Sequence, residues 1–136
     1  MTVVVDTSIV LALYDADDRF HVAAASWLAD VDDELVTTPL ALAEIDRRLA
    51  PSAPARAAFY DDLERGAFTV RWWADALAET LRVASRRPDV GLAAASLVAL
   101  AARLRTNRIA TYDRVHLRDM TEPSGEPFVL LPADHT

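Results

Sequence analysis

The sequence predicts an α/β fold with a mostly parallel sheet and helices on both faces. Two observations predict it: short apolar strands alternate with segments of helix length, which is the signature of crossover connections, and the first strand, Val3–Val5, ends at Asp6 and feeds straight into a helix. The chain has 136 residues, a length that suits one domain over residues 1–136 with one sizeable core.

Each element has its own signal. Three β-branched valines form the first strand, and Thr7-Ser8 lead into the helical IVLALY. Asp17-Asp18 open a second helix through Trp27 and Leu28, closed by Asp30, Asp32 and Asp33. A strand over Glu34–Thr38 precedes Pro39, whose fixed φ suits a first helical turn, and Leu42, Ile45 and Leu49 follow at core spacing. Pro51 ends that helix. Ser52 caps the next, Ala53–Glu64, which stops at Gly66. Ala67–Arg71 alternates like a strand and Asp75–Arg87 is helical. Pro88-Asp89-Val90-Gly91 breaks the chain before an alanine- and leucine-rich helix, Leu92–Arg105. Strands at Arg108–Thr111 and Phe128–Leu131 complete the set, the last behind the turn-forming stretch Glu122–Pro127.

Composition removes several functions. Hydrophobic residues make up 52% and charged residues 26% of the chain, the balance of a folded protein. The net charge of −7 sets 21 acids against 14 bases, and every base is arginine. Without lysine there is no Walker A loop, no Schiff-base enzyme and no kinase. Without cysteine there is no disulfide, thiolate zinc site or cysteine nucleophile, which fits a reducing cytoplasm. The apolar N-terminus lacks a basic flank and carries Asp6, unlike a signal peptide. The longest apolar run, Val90–Leu104, is interrupted by Arg103 and shorter than the ~18–20 residues of a membrane span. The acidic balance argues against a broad basic face for nucleic acid, so any such contact must be local.

Ligands in parallel sheets bind beyond the carboxyl ends of the strands, where Asp6 and Asp113 lie. Taken alone, Asp6 reads as a helix cap, Asp113 as an Asx-turn residue, and Glu44 as an exposed ion pair with Arg48 four residues on. Jointly, three acids at one end of a sheet repel unless a divalent cation sits between them, and an all-oxygen set suits Mg²⁺ or Mn²⁺. A phosphatase or receiver domain is a poorer match, because Asp6-Thr7-Ser8 lacks the second aspartate of a D-x-D motif and the usual lysine is absent.

The segments VVVDTSIVLALY, TPLALAEIDRRL and DVGLAAASLVALAARLRTNRIATYDRVHL together resemble the three signature regions of PIN-domain ribonucleases, in particular VapC-type toxins of type II toxin–antitoxin pairs. The resemblance runs from Thr2 to about Leu117. It implies a three-layer α/β/α architecture around four to five strands, and a metal-dependent endoribonuclease. By the same resemblance Asp6, Glu44 and Asp113 are metal ligands and catalytic, and Thr111 places a hydroxyl near the metal. It further implies a homodimer, an RNA substrate and a VapB-like antitoxin whose C-terminal segment covers the active-site groove.

One departure stands out. The family places an aspartate in the first turn of the helix after its Gly-Leu pair, and this chain has Ala94 there. Losing a metal ligand costs at least the roughly 10–100-fold of an outer-shell loss, so the resemblance implies a weakened or inactive nuclease. Two accounts stay open: a naturally degenerate member, or an active toxin disarmed by an Asp→Ala change. A rival function is a catalytically dead scaffold that binds antitoxin or RNA. Asp89 reads as a helix-start cap or loop residue, and His116 as a solvated or substrate-side residue. Trp72-Trp73 read as core or interface, with base stacking as the alternative. Arg114 and Arg118 are candidate phosphate contacts, Arg86-Arg87 surface charge, and Asp15, Asp17 and Asp18 a solvated loop without the glycine and glutamate of a calcium loop.

Overall fold

The computed structural model describes residues 1–113, 117 and 128–133. Five strands are present among these residues: β1 (Thr2–Val5), β2 (Glu34–Thr37), β3 (Thr69–Val70), β4 (Arg108–Ala110) and β5 (Val129–Leu131). Six helices accompany them: α1 (Thr7–Tyr14), α2 (His21–Asp30), α3 (Pro39–Leu49), α4 (Ala53–Glu64), α5 (Ala76–Arg86) and α6 (Gly91–Leu104).

The strands form one sheet in the order β3-β2-β1-β4-β5, and every pairing is parallel. Alternation along the strands divides the core. Val3, Val5, Leu35 and Ala110 pack with Ile9, Val10, Ala24 and Phe59 of α1, α2 and α4. Val4, Val36 and Ile109 face the other way, against Leu97, Leu100 and Ala101 of α6. Helix α5 packs on α6, and α3 straddles the two sides, with Ala41 in one cluster and Ile45 in the other. The three-layer α/β/α architecture expected from the sequence is present, and the apolar run Val90–Leu104 supplies a buried helix. No helix among the described residues is long and apolar enough to cross a membrane.

The α3 and α4 signals hold in detail. Thr38 caps α3 through Ala41 N–H at 3.2 Å, Ser52 caps α4 through Ala55 N–H at 3.3 Å, and each helix has a proline in its first turn. Gly66, with φ of 78°, takes the left-handed conformation that releases the chain from α4. Most other boundaries shift by a residue at one or both ends, and three differences have a local cause or a larger extent. Asp17 and Asp18 do not open α2, which begins at His21: Asp15 accepts from Asp17 N–H at 3.0 Å and Asp18 from Phe20 N–H at 2.8 Å. These local Asx bonds make turns where helix was expected. Strand β3 has two residues, and α6 stops at Leu104 because Arg105 is left-handed at φ 56°. The turn-forming stretch 122–127 lies outside the described residues.

Candidate active site

The strand order reverses between β1 and β4, so the crevice at their carboxyl ends is the topological switch point of the sheet. Asp6 stands in it. Its N–H donates to Ala110 O at 2.9 Å, continuing the β1–β4 ladder, and only 5% of the residue is exposed. It occupies the N-cap position of α1 but its side chain makes no capping bond, so capping does not explain the carboxylate. Instead Oδ2 takes two hydroxyls, Thr111 Oγ1 at 2.7 Å and Ser8 Oγ at 3.0 Å. Each hydroxyl is itself held by a backbone donor, Asp113 N–H at 2.8 Å on Thr111 Oγ1 and Tyr112 N–H at 2.9 Å on Ser8 Oγ. The two hydroxyls also lie 3.1 Å from each other, so Ser8, Thr111 and the Asp6 carboxylate form one connected cluster. The other oxygen, Oδ1, keeps a longer contact, 3.4 Å from Thr7 Oγ1.

Burial pushes the Asp6 carboxyl above the ordinary carboxylate range. The Thr111 and Ser8 hydroxyls and the Thr7 backbone pull it back, while the charge of Asp113 raises it further. A cation would supply the positive charge that such a carboxylate lacks. A hard divalent ion commonly uses one or two carboxylates and completes its shell with water and phosphate oxygens. The Asp6–Asp113 pair fits that donor set. Among the described residues, no three Asp, Glu, His or Cys side chains are grouped to hold a metal ion by protein ligands alone.

Asp113 lines a cavity of about 240 Å³ with Ser8, Asp18, Phe20, Arg48 and Tyr112. Phe20 and Tyr112 stack at 4.1 Å, nearly parallel, and form its aromatic wall. Glu44, half-buried on α3, lies 4.0 Å from Arg48 but does not itself line this cavity, so the structure brings Asp6 and Asp113 together and leaves Glu44 outside that pair. Ala94 sits in the first turn of α6, which contains no acidic residue. That turn is anchored to α3: Thr38 Oγ1 lies 2.7 Å from Ser96 Oγ, which donates to Ala93 O at 2.6 Å. Since Thr38 accepts from Ala41 N–H, the protons run in one direction, from the first turn of α3 into the first turn of α6.

Two residues that matter here went unassigned in the sequence. Ser8 was visible only as a hydroxyl two positions after the strand-terminal acid, and Arg48 only as a partner for Glu44. Asp89 does not cap α6, whose N-cap is Val90, and binds Arg87 at 3.0 and 3.1 Å. Trp73 packs in the core with its Nε1 on Glu79 at 2.8 Å, whereas Trp72 is 44% exposed. Asp15 and Asp17 are exposed, as expected of a loop. Arg114, His116 and Arg118 lie outside the described residues.

Comparison with known proteins bears on the family and the fold. The family model of the PIN domain matches residues 3–122. Ribonuclease VapC26 of Mycobacterium tuberculosis is 31% identical over 134 residues, covering 95% of this chain and 99% of the relative. Ribonuclease VapC29 of the same organism is 31% identical over 140 residues, covering 97% and 98%. The crystal structure of M. tuberculosis VapC20, a Sarcin-Ricin loop cleaving toxin, superposes with a TM-score of 0.72 at 21% identity, over 82% of this chain and 90% of that one. With its parallel sheet, its strand-terminal aspartate at the switch point and a family match over nearly its whole length, this chain belongs to the PIN-domain family and stands among its VapC ribonucleases.

Proposed function

We propose that the chain is an endoribonuclease of the VapC toxin type, hydrolysing RNA phosphodiester bonds with the help of a divalent cation, and that Ala94 weakens it. The observation that carries this reading is the buried Asp6 carboxylate, fixed by Ser8 and Thr111 at the switch point with Asp113 beside it. Asp6 and Asp113 hold the cation, with Glu44 the third acid of the site. Hard oxygen donors favour Mg²⁺ or Mn²⁺. Such an ion, when bound, would supply charge neutralisation at the phosphate and activation of the attacking water. The protein's own part is positional. Ser8 and Thr111 hold Oδ2 and leave Oδ1 with its one longer contact to Thr7, and the Phe20–Tyr112 stack walls one side of the adjoining cavity. Arg114 is kept as a candidate contact to substrate phosphate.

A VapB-like antitoxin is the expected partner, and a basic segment of it complements an acidic chain. We place the protein in the cytoplasm as a homodimer on the same reading. The second reading, a dead scaffold that binds antitoxin or RNA, is favoured by the lack of any acid in the first turn of α6.

Paired cleavage assays in Mg²⁺ or Mn²⁺ separate the two readings. The Ala94→Asp chain should cut RNA at least ~10–100-fold faster than the chain as it stands, the scale of an outer-shell loss at a metal site. Cleavage by neither protein would favour the binding scaffold. Full activity without the substitution would remove Ala94 from the mechanism.

A further inference from the structure

The cavity at Asp113 does not end there. A second hollow of about 740 Å³ opens between the Asp15–Asp18 loop and the α3–α4 corner, and the two share Leu11, Asp18 and Arg48. Arg48 is thus one of three residues at which the candidate active site meets the adjoining groove. Among the described residues lining either hollow it is the one cation, sharing the first with Asp113 and Asp18 and the second with Asp15, Asp17 and Asp18. Its side chain is 56% exposed and its contact with Glu44 is 4.0 Å. That distance is too long for a hydrogen bond, so the guanidinium is not committed to Glu44. Helical spacing puts Arg48 one turn beyond Glu44 on the same face of α3, so a rigid element carries the cation beside the acid.

We propose that Arg48 is a substrate-positioning residue that binds a backbone phosphate of single-stranded RNA next to the one being cleaved. This rests on the ribonuclease reading and deepens it. The chemistry follows from the surroundings. An acidic rim repels a polyanion, so a strand can cross it only where a local positive charge compensates. Guanidinium presents a planar fork of donors that matches two phosphate oxygens, and it is more weakly hydrated than an ammonium. A phosphate bound there fixes the path of the strand between the Asp6–Asp113 centre and the groove, which sets the register of the scissile bond.

The test reads binding rather than turnover. A labelled single-stranded RNA of mixed sequence is titrated by fluorescence anisotropy in EDTA, which silences metal-assisted cleavage, across a series of KCl concentrations. Each phosphate neutralised on a single strand contributes about −0.7 to the slope of log K against log[salt]. Arg48→Ala should weaken binding about tenfold, the scale of one charged hydrogen-bonded contact, and flatten the slope by about 0.7. Arg48→Lys should keep the slope, because the charge remains, while weakening affinity. Arg82→Ala, on α5 and away from both hollows, should change neither.

A loss of affinity in Arg48→Ala with an unchanged slope would mean that Arg48 acts through Glu44, and would overturn the proposal. So would an equal effect of Arg82→Ala, or none from Arg48→Ala. If the unsubstituted chain bound no RNA and Ala94→Asp cut none, the ribonuclease reading would fall and this proposal with it. Cleavage by Ala94→Asp with a salt slope indifferent to Arg48 would overturn this proposal alone.

Discussion

At the scale of single residues, the site is a problem of keeping a carboxylate where water cannot reach it. Asp6 was legible because three valines ending at an acid place that acid at a strand terminus. Its partners were not, since Thr111 is 105 positions away and only the β1–β4 pairing brings it within 2.7 Å. Burial is the largest influence on Asp6 and it raises the pKa. Between the ordinary value of 3.8 and the raised one, the folded protein therefore holds more protons than the unfolded chain. Stability contributed by protonated Asp6 is complete below that window and is lost as pH rises through it. Asp6→Asn removes the charge but turns an amide toward the two hydroxyl donors, a cost that does not depend on pH. Measured in chelator, the melting midpoint of Asp6→Asn relative to the parent should therefore climb as pH rises from about 4 toward neutrality. A difference that stays flat with pH would show that Asp6 titrates normally.

At the scale of elements, what matters is how the first turns of α3 and α6 are held at the same sheet edge. The sequence made both helices legible, through Pro39 and the 42-45-49 stripe for one and the alanine-rich run for the other. It did not make their contact legible, because Thr38 looks like an ordinary helix cap and Ser96 like an ordinary hydroxyl inside a helix until the fold sets them 2.7 Å apart. Both are fully buried, and the relay Ala41 N–H to Thr38 to Ser96 to Ala93 O leaves no polar atom of the two side chains unpaired. Breaking it removes a cap and a buried hydrogen bond together. Thr38→Val, which keeps the shape, should cost about 1–3 kcal/mol in denaturant unfolding. Combined with Ser96→Ala, the losses should be non-additive by about 0.5–1.5 kcal/mol. Additive losses would mean that the two hydroxyls serve their own helices and do not tie α3 to α6. The tie bears on function because Glu44 rides on α3 and the Ala94 position on α6.

At the scale of the molecule, the strand order and the charge pull in different directions. The order β3-β2-β1-β4-β5 puts one switch point at the ends of β1 and β4, so acids from distant parts of the chain converge there. A net charge of −7 makes the surface as a whole repel RNA. The positive charge of Arg48 at the crevice offsets this only at short range, since the Debye length falls from about 30 Å at 0.01 M salt to about 8 Å at physiological ionic strength. Encounter and capture should therefore respond oppositely to salt. Screening relieves the long-range repulsion between like-charged partners, while the local phosphate contacts weaken. In stopped-flow binding of labelled single-stranded RNA in chelator, the association rate should stay level or rise as KCl increases, and the dissociation rate should rise. A nucleic-acid binder with a broad basic face shows a falling association rate, because salt removes its steering. If this chain behaved that way, the positive charge guiding RNA would have to extend well beyond the crevice, into surface that its 14 arginines, outnumbered by 21 acids, would have to make basic on one side.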